Sequence, residues 1–234
     1  ARYCHAIGQD VEVPPANALR ATRDRRRPHI YTQDEVDALI AACQHAFPHP
    51  LVQATMAVVI ALLAVTGMRP GEALRLRHGD INADDATLLI RANKHGPDRI
   101  IPLHRTTLDA LAAYASSPHR QAVGPPPEGT LFVTTRGKAY QRASVEDHFQ
   151  RIRTAAGITW DGAPGCLVDL RHTFATRQMI RAYTTEAGNP AATLGLLAIW
   201  LGHCDPTHTY WYVQAVPELL ALAAHRVDTT NTTE

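Results

Sequence analysis

The sequence predicts a mainly α-helical domain that carries a small three-stranded antiparallel β-sheet (α+β). Three observations support that class. Helix caps followed by apolar residues at helical spacing recur along most of the chain. Two short β-like runs, residues 86–92 and 99–103, face each other across a turn containing Gly96 and Pro97. A third β-like run follows at residues 130–134. With 234 residues, 45% of them hydrophobic, the chain can bury one substantial core but not a second large domain.

Residues 1–28 contain Pro14-Pro15 and the basic cluster Arg20, Arg23, Arg25, Arg26 and Arg27, with no sustained apolar period. They read as a linker. Such a run is ordinarily just solvated; its functional reading is a strap along a phosphate backbone, with Arg25, Arg26 and Arg27 as contacts that add affinity without sequence information. The chain begins without methionine, so a preceding domain is expected to have been removed.

Thr32 followed by Glu35 forms a capping box, and Val36, Leu39, Ile40 and Cys43 supply the apolar stripe of a first helix. Pro48 and Pro50 end the connection. Leu51 to Val65 is apolar enough to predict a helix in the centre of the core, closed by Thr66-Gly67. Arg69 then falls in a turn before a helix that opens on Pro70, a residue favoured at the first helical position. Its ordinary role is an ion pair with Glu72; its sharper role is a fixed guanidinium fork for an anion.

The two β-like runs place Lys94 in the turn of a hairpin. A helix over Thr106 to Ala115 and a Pro/Gly-rich loop from Ser116 to Gly129 lead to the third run, and Lys138 sits in the Gly-containing turn after it. Ser144 is expected to cap an amphipathic helix ending near Ala156, with Arg151 and Arg153 solvated. Leu167 to Thr176 opens another helix with Arg171 in its first turn, where the amide ends of the helix favour an anion. After Gly188-Asn189-Pro190 the apolar run Leu194 to Trp200 forms a further helix, which breaks at Gly202. His203, Tyr210 and Tyr212 follow the break, and Pro217 to Ala224 reads as a short apolar helix before a polar tail.

Composition limits the chemistry. The longest strongly apolar run, Met56 to Val65, is too short to span a bilayer, and the first thirty residues lack a signal-peptide core, so a soluble, cytoplasmic protein is expected. Cys4, Cys43, Cys166 and Cys204 are far apart without a CxxC pair, and the His203-Cys204/His208 cluster lacks a second ligand pair, so no metal or cofactor is expected. The net charge of +1 neither demands nor excludes nucleic acid. Twenty-one arginines stand against two lysines, Lys94 and Lys138. A lysine at a hairpin tip is ordinarily unimportant, but lysine, unlike arginine, can give up a proton near neutral pH when its surroundings lower its pKa, which makes Lys94 a candidate.

Together these segments resemble the catalytic domain of the tyrosine recombinases, the phage integrase family. The matching stretches are Thr-Gly-Met-Arg69-Pro-Gly-Glu, Lys94 five residues before Arg99-Ile-Ile-Pro-Leu, Asp-Leu-Arg171-His-Thr-Phe-Ala-Thr, and Leu-Gly-His203 with Tyr212 nine residues later. They occur in the family's order. The resemblance implies a linker at 1–28, a catalytic domain at 29–225 and a polar tail at 226–234. It further implies a site-specific recombinase or integrase that cleaves and rejoins double-stranded DNA through a 3′-phosphotyrosyl intermediate, without metal or ATP. Arg69 and Arg171 would hold the non-bridging oxygens, Lys94 would protonate the leaving 5′-oxygen, and His203 would complete the cage around the phosphate. Tyr212 would be the nucleophile; Tyr210 is two residues short of the family spacing.

The family's full-length members assemble as tetramers on DNA with a C-terminal helix docked into a neighbour, whereas this chain alone is expected to be monomeric. Pro217 to Ala224 could be that helix or could pack on its own domain. One departure from the pattern is Val168, where the family usually has histidine; valine cannot move a proton. His172, one helical turn on, is the candidate substitute. Val168 keeps open a catalytically impaired DNA-binding member of the same fold, and the shared chemistry keeps open a type IB topoisomerase-like relaxing enzyme. A metal hydrolase using the histidines is the remaining alternative.

Overall fold

Thr32 opens the first helix because its hydroxyl accepts from the Glu35 amide while the Glu35 carboxylate accepts from the Thr32 amide, the reciprocal box the sequence predicts. This computed structural model describes residues 27–91, 97–125, 129–160, 164–185, 188–203, 209 and 219–222. In it α1 spans Gln33–Ala46 and α2 spans Pro50–Thr66, with the His49 ring accepting from the Leu51 amide at the start of α2. One side of α2 is fully enclosed, with Leu51, Met56, Val59, Ile60 and Leu63 all at 0% exposure. The expectation of central burial holds for that side only: Ala57, Val58 and Ala61 are half-buried and Val65 is exposed.

A single turn, α3 (Pro70–Ala73), and a 3-10 turn lead into the sheet, which consists of β1 (Ile81–Asn82), β2 (Thr87–Ile90) and β3 (Arg99–Pro102). The strand order is β1-β2-β3, both pairings are antiparallel, and Ile90 faces Arg99 at the end of the hairpin. The number of strands is as predicted, but the third is β1 and not residues 130–134. Thr130 and Val133 make only isolated bridges, to Arg77 and Ala139. The reason is that the backbone there is already satisfied elsewhere. The Leu131 amide donates to Leu76 O, and the Arg120 guanidinium donates to Thr130 O and Leu131 O.

Arg120 belongs to α5 (Pro118–Gln121), which follows α4 (Arg105–Ser116) inside the stretch expected to be an irregular loop. The guanidinium is buried because three carbonyls, including Gly124 O, take its donors. α6 spans Arg142–Ala156 and begins upstream of the expected Ser144 cap, with Val145, Phe149 and Ile152 as its buried stripe. Arg151 is exposed as expected. Arg153 is not: it is half-buried over the Trp160 ring, at 5.6 Å, and donates to Gly165 O.

α7 spans Asp169–Thr184, and α8 spans Pro190–Leu201 behind an Asn189 cap that accepts from the Ala192 amide. α2 packs against α1, α4 and α7, and α6 lies on α1. The main core gathers residues of α1, α2, α4 and α6 with Leu167 and Leu170, while Phe174, Met179, Leu197, Leu201 and Leu219 form a second apolar cluster between α7 and α8. Trp200 touches both. Of the expected helix over Pro217 to Ala224, residues 219–222 are described; they are helical, and Leu219 is buried in the chain's own α7–α8 cluster.

Gly67 shows how tightly α2 seats on α7. Its φ is +63°, and a Cβ there would lie 2.4 Å from Phe174 Cδ1, so both backbone and packing require glycine. Among the described residues, no helix is long and apolar enough to cross a membrane.

Candidate active site

The last turn of a helix leaves carbonyls without partners, and those carbonyls carry the negative end of the helix dipole. α8 ends at Gly202, whose φ of +66° lets the chain curl back so that the His203 amide donates to Ala198 O at 2.9 Å. Ile199 O accepts from the Gly202 amide at 3.0 Å, and the three carbonyls after it are each taken by a different arginine. Trp200 O accepts from Arg99 Nε at 2.7 Å, Leu201 O from Arg171 Nη2 at 2.8 Å, and Gly202 O from Arg69 Nη2 at 3.4 Å. The end of α2 joins the same junction: Gly67 O accepts from Arg171 Nη1 at 3.0 Å, and Thr66 O from Trp200 Nε1 at 2.8 Å. Arg171, in the first turn of α7, therefore bridges two helix C-termini.

Arg171 is 3% exposed and also meets His203, with 2.9 Å between its Nη2 and the imidazole Nε2. A guanidinium can only donate, so Nε2 accepts and the ring proton is assigned to Nδ1. Nδ1 then donates to the Thr209 hydroxyl, 2.8 Å away and buried. These two contacts fix how the His203 ring is oriented, one edge toward Arg171 and the other toward Thr209.

Arg69 immediately precedes α3 and is also paired with Glu72, as the ordinary reading of this turn expects. The Glu72 carboxylate accepts from Arg69 Nη1 at 3.0 Å and from the Arg69 amide at 2.8 Å. Its side chain is only 4% exposed, whereas that of Arg69 is 43% exposed. Burial pushes the Glu72 carboxyl upward, but hydrogen bonds and charge from Arg99 and Arg69 outweigh it and hold the pKa below the usual carboxylate range. The pairing therefore contributes stability above that range and loses it as pH falls through the lowered value.

Three of the expected catalytic residues, Arg69, Arg171 and His203, are brought together here. Val168 is the half-buried residue preceding α7 and makes no side-chain cap. His172 is half-buried one turn on, its amide donating to Val168 O at 3.4 Å. Lys94, Tyr210 and Tyr212 lie outside the described residues, as do Arg25 and Arg26, while Arg27 is exposed. β2 and β3 stay paired up to Ile90 and Arg99, the residues flanking the Lys94 segment.

Sequence reasoning missed Arg99 and Thr209 as members of this cluster. Alternation within β3 was the available signal for the first: Ile100 is 68% exposed and Ile101 is buried, so Arg99 shares the inward face with Ile101. Nothing in the local pattern marks Thr209.

The sequence pattern described as the phage integrase family matches residues 30–218. A Sinorhizobium fredii protein named integrase/recombinase y4rE is 37% identical over 226 residues, covering 96% of this chain and 72% of that protein. The tyrosine recombinase XerD of Mycobacterium tuberculosis is 33% identical over 234 residues, covering 96% of this chain and 70% of its own length. Among solved structures, XerA recombinase superposes with a TM-score of 0.64 at 22% identity, over 96% of this chain and 71% of that one. A λ integrase dimer on a core site gives 0.65 at 22% identity, over 90% of this chain and 55% of that one. Those two share the fold, with its small antiparallel sheet on a helical body. From the two arginines and histidine gathered at one helix end, together with a family pattern spanning most of the sequence, it follows that this chain belongs to the phage integrase family, the tyrosine recombinases.

Proposed function

We propose that this site-specific DNA recombinase cleaves double-stranded DNA with Tyr212. The phenol oxygen forms a bond to the scissile phosphorus as the bond to the 5′-oxygen breaks, leaving a 3′-phosphotyrosyl link and a free 5′-hydroxyl. A 5′-hydroxyl from a partner strand then attacks that link and releases the tyrosine. One phosphoester bond replaces another at each step, so the chemistry calls for no external energy source. Lys94 supplies the proton to the leaving 5′-oxygen, and Arg69 and Arg171 offset the charge that builds on the non-bridging oxygens. Arg25, Arg26 and Arg27 add sequence-independent contacts to the backbone. We place the reaction in the cytoplasm.

The observation that carries this reading is the contact between Arg171 and His203, with Arg69 on the adjoining carbonyl. Two phosphate-binding groups meet edge to edge, and a proton moved from Nδ1 to Nε2 turns His203 into a donor for a phosphoryl oxygen. XerH has been seen with its difH substrate and λ integrase as a tetramer on a Holliday junction. Those complexes support DNA as the partner here and the assembly of four protomers on it.

The test is a nicked suicide duplex, whose short cleaved strand diffuses away and traps the covalent intermediate. Incubation with the chain should give a covalent adduct, and peptide mapping should place the nucleotide on Tyr212. No adduct, or an adduct on another residue, would overturn the assignment. On the same substrate Val168→His is expected to raise the cleavage rate about tenfold or more with DNA affinity unchanged, since an added proton shuttle assists the reacting oxygens. An unchanged rate would show that the missing imidazole is irrelevant in this protein.

A further inference from the structure

Arg99 has no part in the scheme above, yet it holds one of the three consecutive carbonyls that organise the site. An arginine on the inward face of a short strand is costly unless its donors are met. Here they are: Nε donates to Trp200 O at 2.7 Å, Nη1 to Glu72 Oε1 at 3.1 Å and Nη2 to Glu72 Oε2 at 2.8 Å. The last two form a parallel fork on the carboxylate, the strongest geometry such a pair can adopt. The side chain is 9% exposed, so it acts through Glu72 and the α8 turn and does not reach a phosphate itself.

Glu72 Oε1 accepts from both Arg99 and Arg69. With two guanidiniums around one carboxylate, the group retains one unit of positive charge. Arg99 is enclosed and Arg69 is 43% exposed, so that excess faces solvent on Arg69. Without Arg99, Glu72 and Arg69 would form a closed neutral pair, and the carboxylate would compete with any incoming anion for the Arg69 fork. Gly202 permits the arrangement: a Cβ there would lie 2.9 Å from Arg99 Nη1.

We propose that Arg99 is a positioning residue for DNA cleavage. It neutralises and orients Glu72, which leaves Arg69 available to the scissile phosphate, and its bond to Trp200 O holds the turn that presents His203. The inference rests on the reading of Arg69 as a phosphate-binding group.

The test compares Arg99→Met and Arg99→Lys with the unaltered chain on two suicide duplexes. One carries the ordinary scissile phosphodiester, the other a methylphosphonate at that position, which lacks the negative charge that Arg69 would meet. Arg99→Met is expected to bind DNA within about threefold of the unaltered chain, because affinity is spread over many phosphate contacts. It should cleave the phosphodiester about thirtyfold more slowly, somewhat less than the loss of a direct oxyanion donor. On the methylphosphonate that deficit should shrink to about threefold or less, since little charge remains to be offset. Arg99→Lys keeps the buried charge without the fork and should recover part of the rate on the phosphodiester. If Arg99→Met does not fold, Arg99→Lys must show a smaller deficit with the same dependence on substrate charge.

Cleavage of the phosphodiester at the unaltered rate, or equal slowing on both duplexes as a merely destabilised protein would give, overturns the inference alone. Absence of an adduct from the unaltered chain would overturn the functional reading, and this inference with it.

Discussion

Replacing Tyr212 with phenylalanine is expected to abolish covalent attachment to nicked suicide DNA, a loss of at least about ten-thousandfold, because the variant has no oxygen with which to form the phosphoester. Phenylalanine keeps the ring, so packing and DNA affinity should be preserved, and a gel-shift measurement on the same duplex should read the same for both chains. Tyr210→Phe is the necessary companion. Tyr210 has the same chemistry two residues nearer His203, and only the spacing of the family motif favours Tyr212 over it. Its variant should form adduct within about twofold of the unaltered rate. Adduct lost in Tyr210→Phe and retained in Tyr212→Phe would exchange the two assignments. Adduct retained in both would remove tyrosine nucleophilicity at this end of the chain altogether.

Arg171→Lys should be nearly as damaging to cleavage, by about a thousandfold in single-turnover rate, the scale on which losing a preorganised donor to a transition-state oxygen is felt. The substitution keeps the charge and loses the fork. Arg171 joins Gly67 O, Leu201 O and His203 Nε2 through two nitrogens at 2.8 to 3.0 Å. A single ammonium cannot serve all three from one position, and at 3% exposure there is little water to replace what is lost. Chemical denaturation should therefore also show a stability loss of about 1–3 kcal/mol, the cost of leaving a buried carbonyl without a donor. DNA affinity, set mainly by many backbone contacts, should fall only severalfold. A variant that cleaves at the unaltered rate would separate this arginine from the chemistry and leave it as a brace between helix ends.

Much of the fold follows from local rules, and the exceptions have identifiable causes. The Thr32–Glu35 box and the glycine endings at Gly67 and Gly202 are written in short stretches, because capping involves residues only a few positions apart. Residues 130–134 look like a strand by composition, yet Leu131 and Thr130 give their carbonyls to Arg120, a partner in a segment that reads as an irregular loop. Propensity cannot anticipate such a competitor. The same limit applies to Arg153, which looks solvated on an amphipathic helix but lies over Trp160 and reaches Gly165. Leu219 likewise reads either as part of a docking helix or as core, and its burial beside Phe174 and Leu201 places it in this chain's own core.

The order and spacing of Arg69, Lys94, Arg171, His203 and Tyr212 along the chain are enough to identify the family and its reaction, because motif spacing survives in a linear string. How the guanidiniums are held is not recoverable from that string. Arg69 precedes the sheet, Arg99 opens its strand β3 and Arg171 lies in a helix far downstream, yet all three end on successive carbonyls, Trp200 to Gly202, at the C-terminal end of α8. That convergence exists only once α2, α7 and α8 have packed and two helix C-termini have met. Unpaired carbonyls at those ends draw in buried positive charge, and one shared carboxylate, Glu72, leaves its excess on the most exposed arginine.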